Sequence, residues 1–163
     1  GQFMLTDEGP KVVEFNARFG DPEAMNTLPV LETDFVGLLV AAREGDSLPE
    51  LSFSERATVC KYAVPDGYPT DPEAGAKVAI DADSAGDASL FYASVDARED
   101  GIYTTTSRSF AVVGVADSIP AAEAIVEDAF ERTGTEGLRV RHDIGKSDLV
   151  RKRIDHMDEL RGR

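Results

Sequence analysis

Alternation of apolar and polar side chains predicts a β-hairpin at the start of the chain. Residues 3–6 and 11–18 have the composition of strands. Between them, residues 7–10 read Asp-Glu-Gly-Pro, a cluster that favours a turn. A helix is predicted next, with Asp34 as its N-cap and Gly45 at its end. Its apolar stripe would consist of Phe35, Leu38, Leu39 and Ala42.

A polar segment that contains proline, residues 47–54, follows this helix, and we place a domain boundary there. Runs typical of strands come next, separated by clusters of turn-forming residues. We predict these strands at residues 57–63, 77–80, 89–95, 109–115 and 138–140. Cys60 lies in the first run without the neighbours of a catalytic nucleophile, so we expect it in the core.

Two more helices are predicted in the second half of the chain. The first is capped by Ser118, has Pro120 in its first turn and would end at Gly134. Its core side would consist of Ala122, Ile125, Val126 and Ala129. The last helix, capped by Ser147, would bury Val150, Ile154 and Met157. Strands followed by a helix, twice along the chain, indicate the α+β class.

The composition and net charge of the chain limit the kinds of partner that we expect it to bind. The chain has 163 residues, of which 42% are hydrophobic, and 17 basic against 31 acidic residues give a net charge of −14. Such a surface repels phosphate backbones, so we expect no nucleic-acid partner. No apolar run approaches the about 18 residues of a membrane span, so we expect no membrane partner and a cytoplasmic protein. We interpret the acidity as adaptation to high salt, with an ordinary acidic protein as the alternative.

Residues 11–23 contain the most informative candidate chemistry. On an extended strand, Glu14, Asn16 and Arg18 would share one face, with about 7 Å between side chains two residues apart. Carboxylate and amide oxygens suit Mg²⁺, which also accepts water and phosphate oxygens as ligands. The guanidinium of Arg18 suits a phosphate or a carboxylate. A cation site beside an anion site suggests phosphoryl transfer, although a solvated strand face explains the same pattern.

Residues 14–23, with the sequence Glu-Phe-Asn-Ala-Arg-Phe-Gly-Asp-Pro-Glu, resemble the signature of the phosphoribosylamine–glycine ligase family, which belongs to the ATP-grasp superfamily. Further segments resemble that family in the same order along the chain. They are Gly67-Tyr68-Pro69, Phe91-Tyr92-Ala93, Arg108 with residues 110–115, and Arg141-His142-Asp143-Ile144-Gly145. The similarity runs nearly from end to end, but it covers only the C-terminal portion of the family's longer enzymes.

This resemblance implies a domain organisation. Residues 1–48 would form the end of an ATP-grasp core, a β-hairpin plus a helix. Residues 52–163 would form the C-terminal domain, a small mixed β structure with flanking helices. Because the chain starts at Gly1 and reads at once as a strand, we expect it to be a piece of a longer protein, inactive without the missing N-terminal part of the same enzyme.

The resemblance also implies an activity. Enzymes of this family join glycine to 5-phosphoribosylamine in purine biosynthesis through glycyl phosphate, with ATP and Mg²⁺ or Mn²⁺ as cofactors. By the family motif, Glu14 and Asn16 would hold the metal, and Arg18 would bind the substrate anion. Asp21 and Glu23 would line or support the same pocket. The groups that hold adenine and the phosphates would lie outside this chain.

Two alternatives stay open. Within the same superfamily, the chain would belong to another carboxylate–amine ligase or to a biotin carboxylase-like enzyme, although the Phe-Gly-Asp-Pro-Glu run at residues 19–23 argues against the latter. From another class, the isolated chain would be a non-catalytic module that only assembles with a partner.

Overall fold

The computed structural model describes residues 1–78, 82–133 and 135–162, with only the backbone described at residues 82 and 84. Strands β1 (Gln2–Thr6) and β2 (Gly9–Glu14) pair antiparallel, which confirms the predicted hairpin. The predicted continuation of the second strand to residue 18 is wrong. Gln2 at the start of β1 pairs with Glu14, so the hairpin offers no partner to the residues that follow.

A short helix, α1 (Glu23–Thr27), precedes the predicted helix α2 (Phe35–Glu44). Both predicted ends of α2 are confirmed. The Asp34 carboxylate accepts a hydrogen bond from the Val36 amide at 3.1 Å, and Gly45 adopts the left-handed conformation. The apolar stripe is not covered, however, because no residue of α2 is buried.

The remaining elements form two antiparallel sheets and two helices. They are β3 (Ala57–Pro65), β4 (Lys77–Val78), β5 (Ser89–Tyr92), β6 (Val95–Arg98), β7 (Gly101–Thr104), β8 (Phe110–Ala116), α3 (Ile119–Thr133), β9 (Leu138–Val140) and α4 (Ser147–Leu160). One sheet has the strand order β5-β8-β3-β9, and the other has the order β4-β7-β6. Within the described chain, α+β is therefore the correct class.

Several predicted boundaries change in the structure. The strand predicted at residues 89–95 is wrong as one element, because β5 pairs with β8 whereas β6 pairs with β7 in the other sheet. Residues 79–80, predicted as the end of a strand, and Gly134, predicted as the end of α3, lie outside the described residues. Helix α4 has Lys146 rather than Ser147 at its N-cap. None of its predicted core residues is buried: Val150 and Met157 are partly exposed, and Ile154 is 46% exposed.

The main core lies between α3 and one face of the four-stranded sheet. Alternate residues of β3 point to opposite faces, so Val59, Lys61 and Ala63 face α3, whereas Cys60 and Tyr62 face away from it. From the helix, the predicted residues Ala122, Val126 and Ala129 are fully buried. Cys60 is also buried, as predicted, and burial raises the pKa of its thiol to about 12.

Gly114 of β8 lets α3 approach the sheet closely. A Cβ atom at this position would lie 2.2 Å from the carbonyl oxygen of Ala122 and 3.1 Å from a methyl group of Val126. These distances leave no space for a side chain, so glycine at this position sets the separation between helix and strand. Across the described residues, no helix is long and apolar enough to cross a membrane.

Candidate functional site

Glu14 and Asn16 lie together at the end of the hairpin. The Asn16 side-chain amide donates a hydrogen bond to a carboxylate oxygen of Glu14 at 3.0 Å, although only Glu14 belongs to β2. A half-turn of the amide places its oxygen beside the carboxylate, so the pair can present two oxygen ligands. The structure, as far as it describes the chain, contains no group of three or more His, Cys, Asp or Glu arranged for a metal ion.

Arg18 and Glu23 occupy exposed positions on the same segment. The Arg18 guanidinium donates to the carbonyl oxygen of Phe19 at 3.1 Å and is otherwise open to solvent. Glu23, the first residue of α1, accepts a hydrogen bond from the Gln2 side chain at 3.2 Å. The strand face that would have aligned Arg18 with Glu14 is absent, because β2 has already ended.

Asp21 is bound to the four-stranded sheet. Arg108 forms an ion pair with it, with 3.0 Å between Nη2 and Oδ2, and also donates to its backbone carbonyl. The Tyr62 hydroxyl donates to the second carboxylate oxygen, and burial followed by this hydrogen bond raises the tyrosine pKa. The Arg108 guanidinium also lies 4.8 Å from the centre of the Tyr62 ring. Asp21, Arg108 and Tyr62 therefore form one cluster of contacting side chains.

A cleft of about 440 Å³ opens beside this cluster, on the face of the sheet opposite α3. Its lining combines arginines with aromatic and apolar side chains. It includes Arg108, Arg139, Arg141, Tyr62, Tyr68 and Ile144. Because Pro22 also belongs to the lining, the cleft borders the segment that follows the hairpin.

Lys61 is a fully buried charge on the opposite face of β3. Its ammonium group lies 2.7 Å from a carboxylate oxygen of Glu123 and 2.6 Å from one of Glu127, both on α3. It also donates to the backbone carbonyl of His142 at 3.0 Å. A buried charge is tolerated only when it is paired and hydrogen-bonded in this way. Lys61 therefore joins the sheet, α3 and the loop after β9.

The two glutamates remain ionised because of their partners. Burial raises the pKa of Glu123, but hydrogen bonds from Lys146 and Lys61 outweigh it, and the net pKa lies below the ordinary value. The pKa of Glu127 is lowered in the same way, since hydrogen bonds from Lys61 and His142 outweigh the effect of burial.

The loop of residues 141–146 is fixed from two sides. Arg141 binds Asp143 through two parallel hydrogen bonds, and the hydrogen bond from Arg141 lowers the pKa of Asp143 to about 2. Lys146 forms an ion pair with Glu123 at 2.7 Å. Gly145 has φ of 83°, and a Cβ atom there would lie 3.1 Å from the Glu123 side chain. The loop thus packs directly against α3.

Sequence reasoning missed the buried ionic cluster. Lys61 interrupts an otherwise apolar strand, and Glu123 and Glu127 are spaced i and i+4 on α3. A single lysine in a buried strand requires carboxylate partners, and this spacing on the facing helix supplies two. The lysine in an apolar strand, together with the two glutamates on one helix face, is the sequence pattern from which this cluster could have been predicted. No comparable local pattern indicates that Arg108 and Arg139 meet in one cleft.

Comparison with protein families gives two matches along the chain. The phosphoribosylglycinamide synthetase C domain matches residues 58–147, and the ATP-grasp (A) domain of the same synthetase matches residues 1–24. A phosphoribosylamine–glycine ligase of Methanosarcina barkeri is 56% identical over 99% of this chain. The ligase of Methanopyrus kandleri is 49% identical over the same share. In both proteins, the aligned region is 37% of the full length.

A crystal structure of phosphoribosylamine–glycine ligase from Thermotoga maritima superimposes with a TM-score of 0.72, at 23% sequence identity. The match covers 86% of this chain and 35% of that one. The fold is therefore an α+β fold that contains the end of an ATP-grasp core and the domain that follows it in ATP-grasp ligases.

The comparisons identify the protein family as well as the fold class. Since the C-domain match covers more than half of the chain, the protein belongs to the phosphoribosylglycinamide synthetase family. The family predicted from the signature at residues 14–23 is thus confirmed. The chain spans about 37% of the length of the curated relatives it matches.

Proposed function

We propose that this chain is part of an ATP-dependent ligase that joins glycine to 5-phosphoribosylamine. The glycine carboxylate attacks the terminal phosphorus of ATP and forms glycyl phosphate with release of ADP. The amine of phosphoribosylamine then displaces phosphate, loses a proton and forms the amide. The observation that carries this proposal is the high identity to phosphoribosylamine–glycine ligases along almost the whole chain.

Glu14 and Asn16 are proposed as ligands of the Mg²⁺ or Mn²⁺ that accompanies ATP. Their side chains already touch, both retain contact with solvent, and a carboxylate with an amide oxygen is a donor set that Mg²⁺ accepts. When bound, the metal would neutralise charge on the phosphates of ATP. Two protein ligands leave positions for water and phosphate oxygens, as Mg²⁺ sites commonly require.

Arg18, Asp21 and Glu23 are proposed to form the substrate side of the same region. Arg18 retains unused donors that suit an anionic group. Asp21 and Glu23 already bind protein groups, Arg108 and Gln2, so their part is to support the wall of the pocket. This arrangement divides the segment into one exposed anion-binding side chain and two supporting carboxylates.

An uncovered apolar surface on the hairpin supports the proposal that this chain functions within a larger enzyme. Large apolar residues of the hairpin and of the residues just after it are mostly exposed, and Phe15 reaches 74%. The others include Phe3, Met4, Val12 and Val13. A two-stranded hairpin with both faces in water is marginally stable. We propose that the rest of an ATP-grasp domain covers it, with the domain boundary at residues 48–52 and the complete enzyme in the cytoplasm.

A coupled assay on the complete enzyme tests this function. Formation of ADP should require glycine and phosphoribosylamine together, and one amide should form for each ATP consumed. If ADP formation instead depends on another carboxylate and amine, or on bicarbonate and biotin, the protein is a different ATP-grasp enzyme. If the complete protein neither binds nor hydrolyses ATP, the assembly-module alternative is correct.

A further inference from the structure

The cleft opposite α3 brings together three arginines from distant parts of the sequence. Arg108 lies before β8, Arg139 lies in β9 and Arg141 follows β9. All three side chains retain contact with solvent. The chain has a net charge of −14, so its surface is acidic on average. This concave surface is instead lined by three positively charged guanidinium groups. Such a cleft attracts anions.

The arginines have donors to spare. Each guanidinium carries five N–H groups in a planar fork. Arg108 uses its two terminal nitrogens on Asp21, and Arg141 uses two nitrogens on Asp143. Arg139 donates only to the backbone carbonyl of Tyr68, and no carboxylate of the described residues lies within ion-pair distance of it. The cleft therefore retains uncompensated positive charge.

The position of Arg141 is fixed by the buried lysine. Lys61 binds the carbonyl oxygen of His142, the next residue, while Lys146 at the other end of the loop is paired with Glu123. Because α3 and the sheet hold both ends, the loop presents Arg141 with little freedom. A site that is ordered before binding loses less entropy when its ligand arrives.

We propose that this cleft binds the phosphate monoester of a small sugar phosphate. The arginines would bind the phosphate oxygens, and the aromatic and apolar lining, which includes Tyr62, Tyr68 and Ile144, would lie beside the sugar. The inference rests on the proposed function, in which phosphoribosylamine is the sugar-phosphate substrate. It adds a second anion-binding surface, separate from Arg18.

Calorimetry on the complete enzyme, with ribose 5-phosphate as the probe, tests the cleft. Ribose 5-phosphate should bind, ribose should not, and saturating ATP should not compete. The Arg139→Gln variant should bind ribose 5-phosphate at least about tenfold more weakly, because a charge-assisted contact is lost. The matched control is Arg132→Gln, an exposed arginine paired with Asp128 on α3, and it should leave the affinity unchanged.

A charge-balanced variant keeps the test decisive if Arg139→Gln does not fold. The double variant Arg141→Gln with Asp143→Asn removes an ion pair without changing the net charge, and it should also weaken the binding. Unchanged affinity in every folded variant overturns the proposal, as does displacement of the probe by ATP.

The ligase assay separates this proposal from the proposed function. If the enzyme is not a glycine ligase but still loses ribose 5-phosphate binding on substitution of Arg139, the cleft assignment stands and the proposed function fails. If the ligase is active and Arg139→Gln leaves the KM for phosphoribosylamine unchanged, the cleft assignment alone is wrong.

Discussion

Arg108 binds both the side chain and the backbone of Asp21. Its two terminal nitrogens lie 3.0 Å from Oδ2 and 3.0 Å from the backbone carbonyl oxygen of that residue. Asp21 ends the segment after the hairpin, whereas Arg108 leads into β8. The pair therefore attaches the proposed metal-binding segment to the sheet that lines the cleft.

Asp21→Asn should weaken this attachment. The change removes the charge but keeps the shape, and since the pair is partly exposed we expect a loss of about 1 kcal/mol in the free energy of unfolding. Denaturant unfolding measures it, with Asp128→Asn, which breaks the ion pair with Arg132 on α3, as the control. A rise in the KM for phosphoribosylamine without any loss of stability would instead indicate direct contact with substrate.

Glu14→Gln should remove metal-dependent catalysis from the complete enzyme while leaving the fold intact. Glu14 is exposed, so we expect the free energy of unfolding to change by less than about 0.5 kcal/mol. The loss of a charged metal ligand should lower kcat by more than the about 10- to 100-fold typical of changes around ligands. Kinetics over a range of Mg²⁺ concentrations measures this, together with Mn²⁺ binding.

The control for that experiment is Glu8→Gln, on the turn of the same hairpin, where the carboxylate pairs with Lys11. It should have normal kinetics. Normal turnover of Glu14→Gln at limiting Mg²⁺ would show that the carboxylate is not a ligand.

Lys61→Met should destabilise the protein strongly. Removing the ammonium group leaves two carboxylates of α3 in a largely buried position without their shared partner, and we expect a loss of about 3–5 kcal/mol. Lys77→Met, which removes an exposed lysine paired with Asp100, should cost far less, because solvent screens an exposed ion pair. Equal losses in the two variants would contradict the structural role of Lys61.

Acid should destabilise the protein through Glu123 and Glu127. Their pKa values in the folded protein lie below the ordinary value of 4.5, so the folded state binds protons less readily than the unfolded state. The stability they contribute is present above about pH 4.5 and is lost as the pH falls through the lowered pKa values. Denaturant unfolding between about pH 7 and pH 3 measures the decline. Glu127→Gln should reduce its size, and an identical acid dependence would exclude this source.

Salt should stabilise the protein if its acidity reflects adaptation to high salt. With a net charge of −14, repulsion between carboxylates is long-ranged in dilute buffer, whereas the Debye length falls to about 3 Å at 1 M salt. The melting temperature should therefore rise between about 0.1 M and 2 M KCl. Sucrose, which stabilises by exclusion without screening charge, serves as the control. A melting temperature that does not rise would favour an ordinary acidic protein.

Local patterns in the sequence predicted local structure well. The turn before Lys11, the cap at Asp34, the left-handed Gly45 and the buried face of α3 follow from interactions within a few residues. The ends of strands depend on their partners, so the end of β2 at Glu14 and the separation of β5 from β6 were not apparent. The exposure of Ile154 likewise depends on which element lies opposite α4.

The same distinction between local and long-range interactions applies to the candidate site. Glu14 and Asn16 are two residues apart, and the sequence predicted that they share one side of the segment, but on a continuing strand rather than in the direct hydrogen bond that the structure shows. The interaction of Asp21 with Arg108 joins residues 87 positions apart, and no local pattern predicts it. The position of Lys61 was visible as a charged residue in an apolar strand, but its partners became clear only when the facing helix was known.

The geometry of the cleft also depends on Gly114, which lies outside the cleft lining and packs against α3. Even alanine there would force α3 away from β8 at Ala122, the residue before Glu123. Glu123 holds both Lys61 and Lys146, which anchor the loop that carries Arg141. One added methyl group on the far side of the sheet would therefore shift an arginine in the cleft. A screen for loss-of-function variants should recover Gly114 even though it touches none of the proposed ligands.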